Sequence, residues 1–326
     1  MRRRHRKVGF GGLLGVYEGC LPPHEARRGD EFARTSTLDT VNSRGTPVAP
    51  ESLKRILRKP LTWAGLEVRR RRIPSAQGYH RRGSLSGLLH HAKNVGLSPA
   101  TVIDVGAAYG EFTLECHRVF PDANYILVEP LEEYRPFLDV VSSSVPKAQY
   151  VLAAASAAPG ELVINVHPDL VGSSVYLEDE SSNVNGVPRM VPVIALDSLV
   201  DDWGAIPPFL LKIDVQGAEL DVLSGGERLL QNAEYVLLEV CFFGFFTGGP
   251  QFHDVVTFME SREFVAYDIC DLQYRPLDNA LSQVDISFVK QKGFLREHHH
   301  YATPGQREEL NSTFRLRKRE VPKAER

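Results

Sequence analysis

The sequence predicts a doubly wound α/β fold built on a mostly parallel sheet, and three observations carry that expectation. Short continuous apolar runs recur at residues 101–104, 125–129, 150–154, 209–214 and 235–240, the appearance of strands buried on both faces. Helical patterns lie between the runs, so the chain has to cross over and lay successive strands parallel. A glycine-bearing turn, Asp104-Val-Gly-Ala-Ala-Tyr-Gly110, directly follows the first run, as it does in nucleotide-binding α/β units.

Taken in order, residues 1–82 read as a basic, disordered arm. They carry 19 Lys and Arg against 7 Asp and Glu, whereas the rest of the chain carries 19 against 34. Apart from a short helix expected near residues 50–59, the arm shows no sustained period. Aromatic residues are not interleaved with its arginines, so a solvated surface is favoured over a nucleic-acid or lipid partner. The folded domain is expected over residues 83–292. Ser84 can cap a helix whose Leu85, Leu88, Leu89 and Ala92 share one face and which Gly96 can close. A second helix is expected over residues 111–119. The stretch between the third and fourth apolar runs is too long for a simple crossover. Residues 161–166 alternate like a half-exposed strand and 191–194 form another, so an inserted hairpin leaning over the sheet edge is predicted. Residues 264–268 and 285–289, joined by polar turns, predict an antiparallel edge pair. Residues 293–326 read as a polar, basic tail, and its three adjacent histidines, His298, His299 and His300, as solvated.

Composition narrows the class further. At 43% hydrophobic and 24% charged the chain has the balance of an ordinary globular protein, and no apolar run approaches the ~18 residues of a membrane span. Met1-Arg-Arg-Arg-His-Arg-Lys7 resembles the charged start of a signal peptide. The nine residues that follow, 8–16, hold four glycines and lead to no small-residue cleavage pattern, so a cytoplasmic protein is expected. The four cysteines, Cys20, Cys116, Cys241 and Cys270, form no CxxC pair. Neither a zinc knuckle nor a disulfide framework is indicated, and no metal is called for.

The ligand of the glycine turn is chosen by charge. Glu129 ends the second apolar run 19 residues after Gly110, where it can accept hydrogen bonds from ribose hydroxyls. A dinucleotide would share that acid, yet its diphosphate needs an uncluttered helix N-terminus and the fingerprint G-x-G-x-x-G. Here the third glycine is missing, Asp104 precedes the turn and Glu111 follows it. Those carboxylates suit a ligand that bears a sulfonium and an ammonium, which makes S-adenosylmethionine the expected cofactor. The expected contacts are Asp104, Gly106, Ala107, Tyr109, Gly110 and Glu129, with Ala154 of the small-residue run 153–156 at the adenine edge and Asp214 nearby. Singly, Asp104 reads equally as a turn cap and Glu129 as a strand-end acid; their shared βαβ setting favours the cofactor.

At the far side, Lys212-Ile-Asp-Val-Gln-Gly-Ala-Glu219 puts Lys212 and Asp214 on one face of a buried strand, with Asp214 at its carboxyl end. A buried lysine needs a partner, and Glu239 on the next run is the expected one. Glu219, in the first turn of the following helix, reads equally as a helix-dipole acid. The blocks Val102-Ile-Asp-Val-Gly-Ala-Ala-Tyr-Gly110, Leu127-Val-Glu-Pro130, Leu196-Asp-Ser-Leu199 and Leu211-Lys-Ile-Asp-Val-Gln-Gly-Ala-Glu-Leu-Asp-Val-Leu223 together resemble the FkbM-type methyltransferases over about residues 84–290. The family often has Asn where Ala108 stands. The resemblance implies a class I S-adenosylmethionine fold and O-methylation of hydroxyls on sugars, polyketides or related metabolites, hence a small-molecule or glycan acceptor.

Methyl transfer to an alcohol requires alignment and the loss of a proton. The expected catalytic groups are Asp214 first and Glu239 second, with Lys212 beside them and His253, after the Gly-rich loop 244–250, as a third candidate base. Two alternatives stay open at this point. One is RNA or ribose methylation, supported only by the Arg-rich arm; the other is a non-catalytic scaffold that retains the fold.

Overall fold

The computed structural model describes residues 82–178 and 183–319; the basic arm and the helix expected at 50–59 lie outside the described residues. The first element, α1 (Leu85–Asn94), starts where the sequence places it. Ser84 Oγ accepts the Gly87 N–H at 3.3 Å, and the helix buries Leu88, Leu89 and Ala92 on one face. Then follow β1 (Thr101–Val105), α2 (Glu111–Val119), β2 (Asn124–Glu129), α3 (Arg135–Ser144) and β3 (Ala148–Leu152). The insertion comprises β4 (Ala154–Ala155), β5 (Gly160–Val166) and β6 (Val187–Ile194). After it come α4 (Leu196–Asp202), β7 (Phe209–Ile213), α5 (Glu219–Ser224), α6 (Glu227–Gln231), β8 (Ala233–Cys241), α7 (Phe252–Glu260), β9 (Phe264–Tyr274), β10 (Leu281–Lys290) and α8 (Pro304–Arg319).

The main sheet has seven strands in the order β3-β2-β1-β7-β8-β10-β9. The ladders β1 to β2, β2 to β3, β1 to β7 and β7 to β8 are parallel, and β10 runs antiparallel to both β8 and β9. The doubly wound sheet with its antiparallel edge is therefore as the sequence predicts. Every residue of β1 is buried, because helices cover both faces of the sheet. Phe112, Cys116 and Val119 of α2 and Leu138 and Val141 of α3 pack with Leu89 on one side. Leu199, Val222, Leu223, Leu230, Val255 and Met259 pack on the other.

The predicted hairpin is present: β5 and β6 pair antiparallel from Gly160↔Val193 to Val166↔Val187. One boundary differs. The apolar run 150–154 is not one strand, because β3 ends at Leu152 and Ala154 pairs with Val193 of β6, in a separate three-stranded sheet β4-β6-β5. The switch of partner lets the chain leave the main sheet at its edge and lay the insertion over the carboxyl ends of the strands. In the predicted tail, α8 is a polar helix. Among the described residues no helix is long and apolar enough to cross a membrane, and Cys116, Cys241 and Cys270 are buried free thiols.

Candidate active site

Strand register decides which side chains meet at the carboxyl edge. Asp104 stands opposite Lys212 across β1 and β7, and Lys212 stands opposite Leu237 of β8. Two residues further along, on the same face by the period of the strand, Glu239 stands opposite Asp285 of β10 and Asp285 opposite Cys270 of β9. Asp214 follows the end of β7, its N–H held by the Val105 carbonyl at 3.1 Å. The edge thus carries a row of acids, Glu129, Asp214, Glu239 and Asp285, above one buried ion pair.

That pair is Lys212 with Asp104, which corrects the expectation of Glu239 as the lysine's partner. Lys212 Nζ lies 3.4 Å from Asp104 Oδ1 and 3.6 Å from Asp214 Oδ2, and donates to the Gly106 carbonyl at 2.8 Å. Asp104 is fully buried; its Oδ2 accepts the Thr113 hydroxyl at 2.8 Å, and its Oδ1 has the ammonium as its counter-charge. Burial raises the Asp104 carboxyl above its ordinary range, against the pull of Lys212 and Thr113. Burial works to lower Lys212, but Asp104 and Asp214 outweigh it and hold the lysine protonated. The register explains the exchange of partners, since Asp104 lies directly across from the lysine whereas Glu239 sits two residues beyond Leu237.

Glu239 is instead surrounded by amides. Gln216 Nε2 and Gln283 Nε2 donate to its Oε2 at 2.7 and 3.0 Å, and Gln273 Nε2 donates to its Oε1 at 2.9 Å. Gln216 Nε2 also donates to Asp214 Oδ1 at 2.9 Å, so one amide bridges the two carboxyls. Burial, then the charges of Asp214 and Asp285, push Glu239 up to about 9. Burial and Asp214 push Asp285 up to about 7. Glu219 is buried under the turn before α5, where its Oε1 accepts the Gly217 N–H at 3.1 Å; it closes that turn, and burial raises it to about 7.

At the other end of the row Glu129, 4% exposed, accepts the Ala108 N–H on Oε2 and the Leu131 N–H on Oε1, both at 2.9 Å. Burial lifts it to about 7 against those two bonds. The carboxylate therefore shapes the glycine turn and still keeps a lone pair on each oxygen. The glycines answer to the chain's own packing. A Cβ on Gly106 would lie 1.8 Å from the Asp214 carbonyl oxygen, and one on Gly110 (φ +75°) would lie 2.6 Å from Val141 Cγ2. Gly106 thus lets β1 and β7 end in contact, which brings Asp214 to the turn. Ala107 is buried, with its N–H on the Val128 carbonyl at 3.2 Å. Ala108 adopts φ +44°, a left-handed conformation that costs a residue with a Cβ. The Tyr109 ring, 41% exposed, packs edge-on against Tyr134 and Phe137.

Three clefts open around the row. The first, about 690 Å³ and largely apolar, runs from Gly106, Glu129 and Tyr134 past Ala153, Ala154 and Ala155 under the insertion loop at Leu170 and Val175, and reaches Asp214 and Gln216. The second, about 680 Å³, lies across the glycine turn and holds Tyr109, Glu111, Lys212, Asp214, Glu239 and Asp285. The third, about 1220 Å³, is lined by Phe245, Phe246 and Tyr274 together with Gln216, Gln273 and Gln283. Asp214 borders the first two, and Gln216 borders the first and third. The structure gathers every expected site residue except His253. Val255 and Met259 turn the core face of α7 inward, which leaves the His253 ring 74% exposed beside Asp254 at 3.2 Å, away from the row. Sequence reasoning missed Asp285, the three glutamines and Tyr134. Asp285 alternates with the buried Val284 and Ile286 and meets Glu239 through the register of β8 with β10; no local signal marked it or the glutamines.

Residues 104–266 match the methyltransferase FkbM domain. The chain is 26% identical over 185 residues to Methyltransferase 1 of Beauveria bassiana (strain ARSEF 2860), covering 50% of this chain and 71% of that protein. Among solved structures it is similar to a putative O-methyltransferase from Klebsiella pneumoniae (12% identity, 74% of this chain and 91% of that one, TM-score 0.37). It is also similar to the magnesium protoporphyrin IX methyltransferase from Synechocystis PCC 6803 with bound SAM (8% identity, 63% and 76%, TM-score 0.36). With the domain match spanning half of the chain, from the glycine turn through Glu129, Asp214 and Glu239 of the acid row, the chain belongs to the FkbM family of methyltransferases.

Proposed function

We propose that the chain is an S-adenosylmethionine-dependent O-methyltransferase that acts on a hydroxyl of a sugar, polyketide or related small metabolite. The observation that carries the reading is the position of Asp214, which borders two clefts from within a row of acids. The first cleft suits the donor: its alanines and Val128 offer an apolar wall, Glu129 offers acceptor lone pairs, and among the described residues no Lys or Arg lines it to hold a diphosphate. Glu129, Gly106, Ala107, Ala108, Ala154 and Asp214 would hold the donor, with Tyr109 and Gly110 shaping the turn. When bound, the donor supplies a methyl carbon already activated by its sulfonium.

The remaining work falls to the protein. Asp214 takes the proton of the acceptor hydroxyl or orients it by accepting its hydrogen bond. Glu239, raised by burial and by the charges of Asp214 and Asp285, supports Asp214 through the Gln216 amide that bridges them. Lys212 fixes Asp214 and the Gly106 carbonyl in place. The third cleft, which meets the first at Gln216, sets aromatic faces beside glutamine amides, and its Arg275 is paired with Asp278; it suits an uncharged hydroxylated ring better than a polyanion.

Two experiments test the reading. Calorimetric titration of S-adenosylmethionine should show micromolar binding; no binding would favour a scaffold that keeps only the fold. Asp214→Asn should bind the donor but lose at least 10²-fold in turnover, scored by mass spectrometry as methylated product from a panel of glycosides and polyketides. Full turnover in Asp214→Asn would remove it as the base.

A further inference from the structure

Among the described residues, Tyr134 stands out within the first cleft because its hydroxyl is buried with no hydrogen-bond partner. The residue is only 2% exposed. A buried hydroxyl without a partner destabilises the protein that carries it and calls for an explanation. The ring is well fixed: Tyr109 packs edge-on against it at 4.9 Å, and the Tyr134 N–H bonds to the Leu131 carbonyl at 3.1 Å. Leu131 in turn donates its own N–H to Glu129. A single short turn after β2, Glu132–Tyr134, therefore ties the position of the phenol to that of the carboxylate.

The two groups are also chemically complementary. Burial, and then the charge of Glu129, raise the Tyr134 phenol, which keeps it a hydrogen-bond donor. Glu129 is an acceptor with a free lone pair on each oxygen. A vicinal diol needs one of each, because every hydroxyl both gives and receives a hydrogen bond. We infer that the Tyr134 hydroxyl is a donor-binding group that gives its hydrogen bond to a ribose hydroxyl oxygen of the methyl donor, while Glu129 receives the ribose proton. The inference rests on the proposed reading of the first cleft as the donor site.

The test needs no acceptor. S-adenosylhomocysteine and its 2′-deoxy and 3′-deoxy analogues are titrated by calorimetry into wild type and Tyr134→Phe, and the ligand-free melting temperatures are compared. Loss of one neutral hydrogen bond predicts that Tyr134→Phe binds S-adenosylhomocysteine about 2- to 12-fold more weakly. One of the deoxy analogues should be bound equally by both proteins, and the ligand-free variant should melt at the same temperature or higher. Equal affinity of the two proteins for S-adenosylhomocysteine overturns the inference. A weaker affinity accompanied by a lower melting temperature also overturns it, since it would mean a structural role. If wild type itself binds none of the three ligands, the donor reading fails first.

Discussion

Removing the charge of Lys212 tests the buried pair at the centre of the edge. Its side chain is 13% exposed and Asp104 is 0% exposed, so solvent cannot take over when the ammonium is lost. Lys212→Met keeps the stem and leaves Asp104 without a counter-charge and the Gly106 carbonyl without its donor. Breaking a buried pair from one side costs about 3–5 kcal/mol, which for a domain of this size lowers the melting temperature by roughly 6–20 °C. Urea and thermal melts measure it directly. The sign with pH follows from Asp104: an acid whose folded value is raised loses stability as pH climbs from its ordinary 3.8 through the folded value. Without Lys212 that value rises further, so the penalty should shrink on acidification. Adding Asp104→Asn removes the stranded charge and should recover a large part of the loss. A cost under about 1 kcal/mol for Lys212→Met, or no recovery in the double variant, would refute the pair as a buried, mutually dependent unit.

Two further outcomes follow from the same edge. Glu239 is raised from 4.5 to about 9, so the wild type should lose stability as pH rises through that window; Glu239→Gln should flatten the loss in urea midpoints taken from pH 5 to 9, most clearly above pH 7, leaving the slope due to Glu129, Glu219 and Asp285. Ala108, at φ +44°, sits where glycine is unstrained, so Ala108→Gly should raise stability by up to about 1 kcal/mol in denaturant melts, with the Glu129 contact retained because it uses the backbone N–H.

Much of this edge was legible in the sequence. The helix 111–119 coincides with α2, and the apolar runs mark five of the seven strands of the main sheet, because strands buried on both faces admit few polar residues. The antiparallel edge pair was visible from its polar turns. What apolar runs do not encode is the register between strands. Lys212 was matched with Glu239 because the two lie on successive strands, yet β7 sits between β1 and β8, and the facing acid is Asp104. The glycines of the turn were expected as donor contacts; what no run of residues announces is that Gly106 and Gly110 also make room for Asp214 and Val141. His253 was chosen for its chemistry alone; the inward apolar face of α7 places it outside.

The acid row also constrains how the site would work. An attraction between carboxylates and a sulfonium is strongest before transfer, because the sulfur becomes neutral as the methyl group leaves; such an attraction aids binding but does not lower the barrier. A row of fully ionised carboxyls would therefore hold the donor at the expense of the step that follows. Burial limits that effect here. Glu239 is raised to about 9, and Glu129 and Asp285 to about 7, so the edge carries fewer charges at neutral pH than it has carboxyls. Glu239→Gln removes the charge and sets an NH2 where one oxygen now accepts from an amide, so one partner amide has to flip; it should cost less turnover at pH 7 than Asp214→Asn, which removes the proton acceptor. The two isosteric changes, made side by side where β7 and β8 end, separate the carboxyl that takes the proton from the one that supports it.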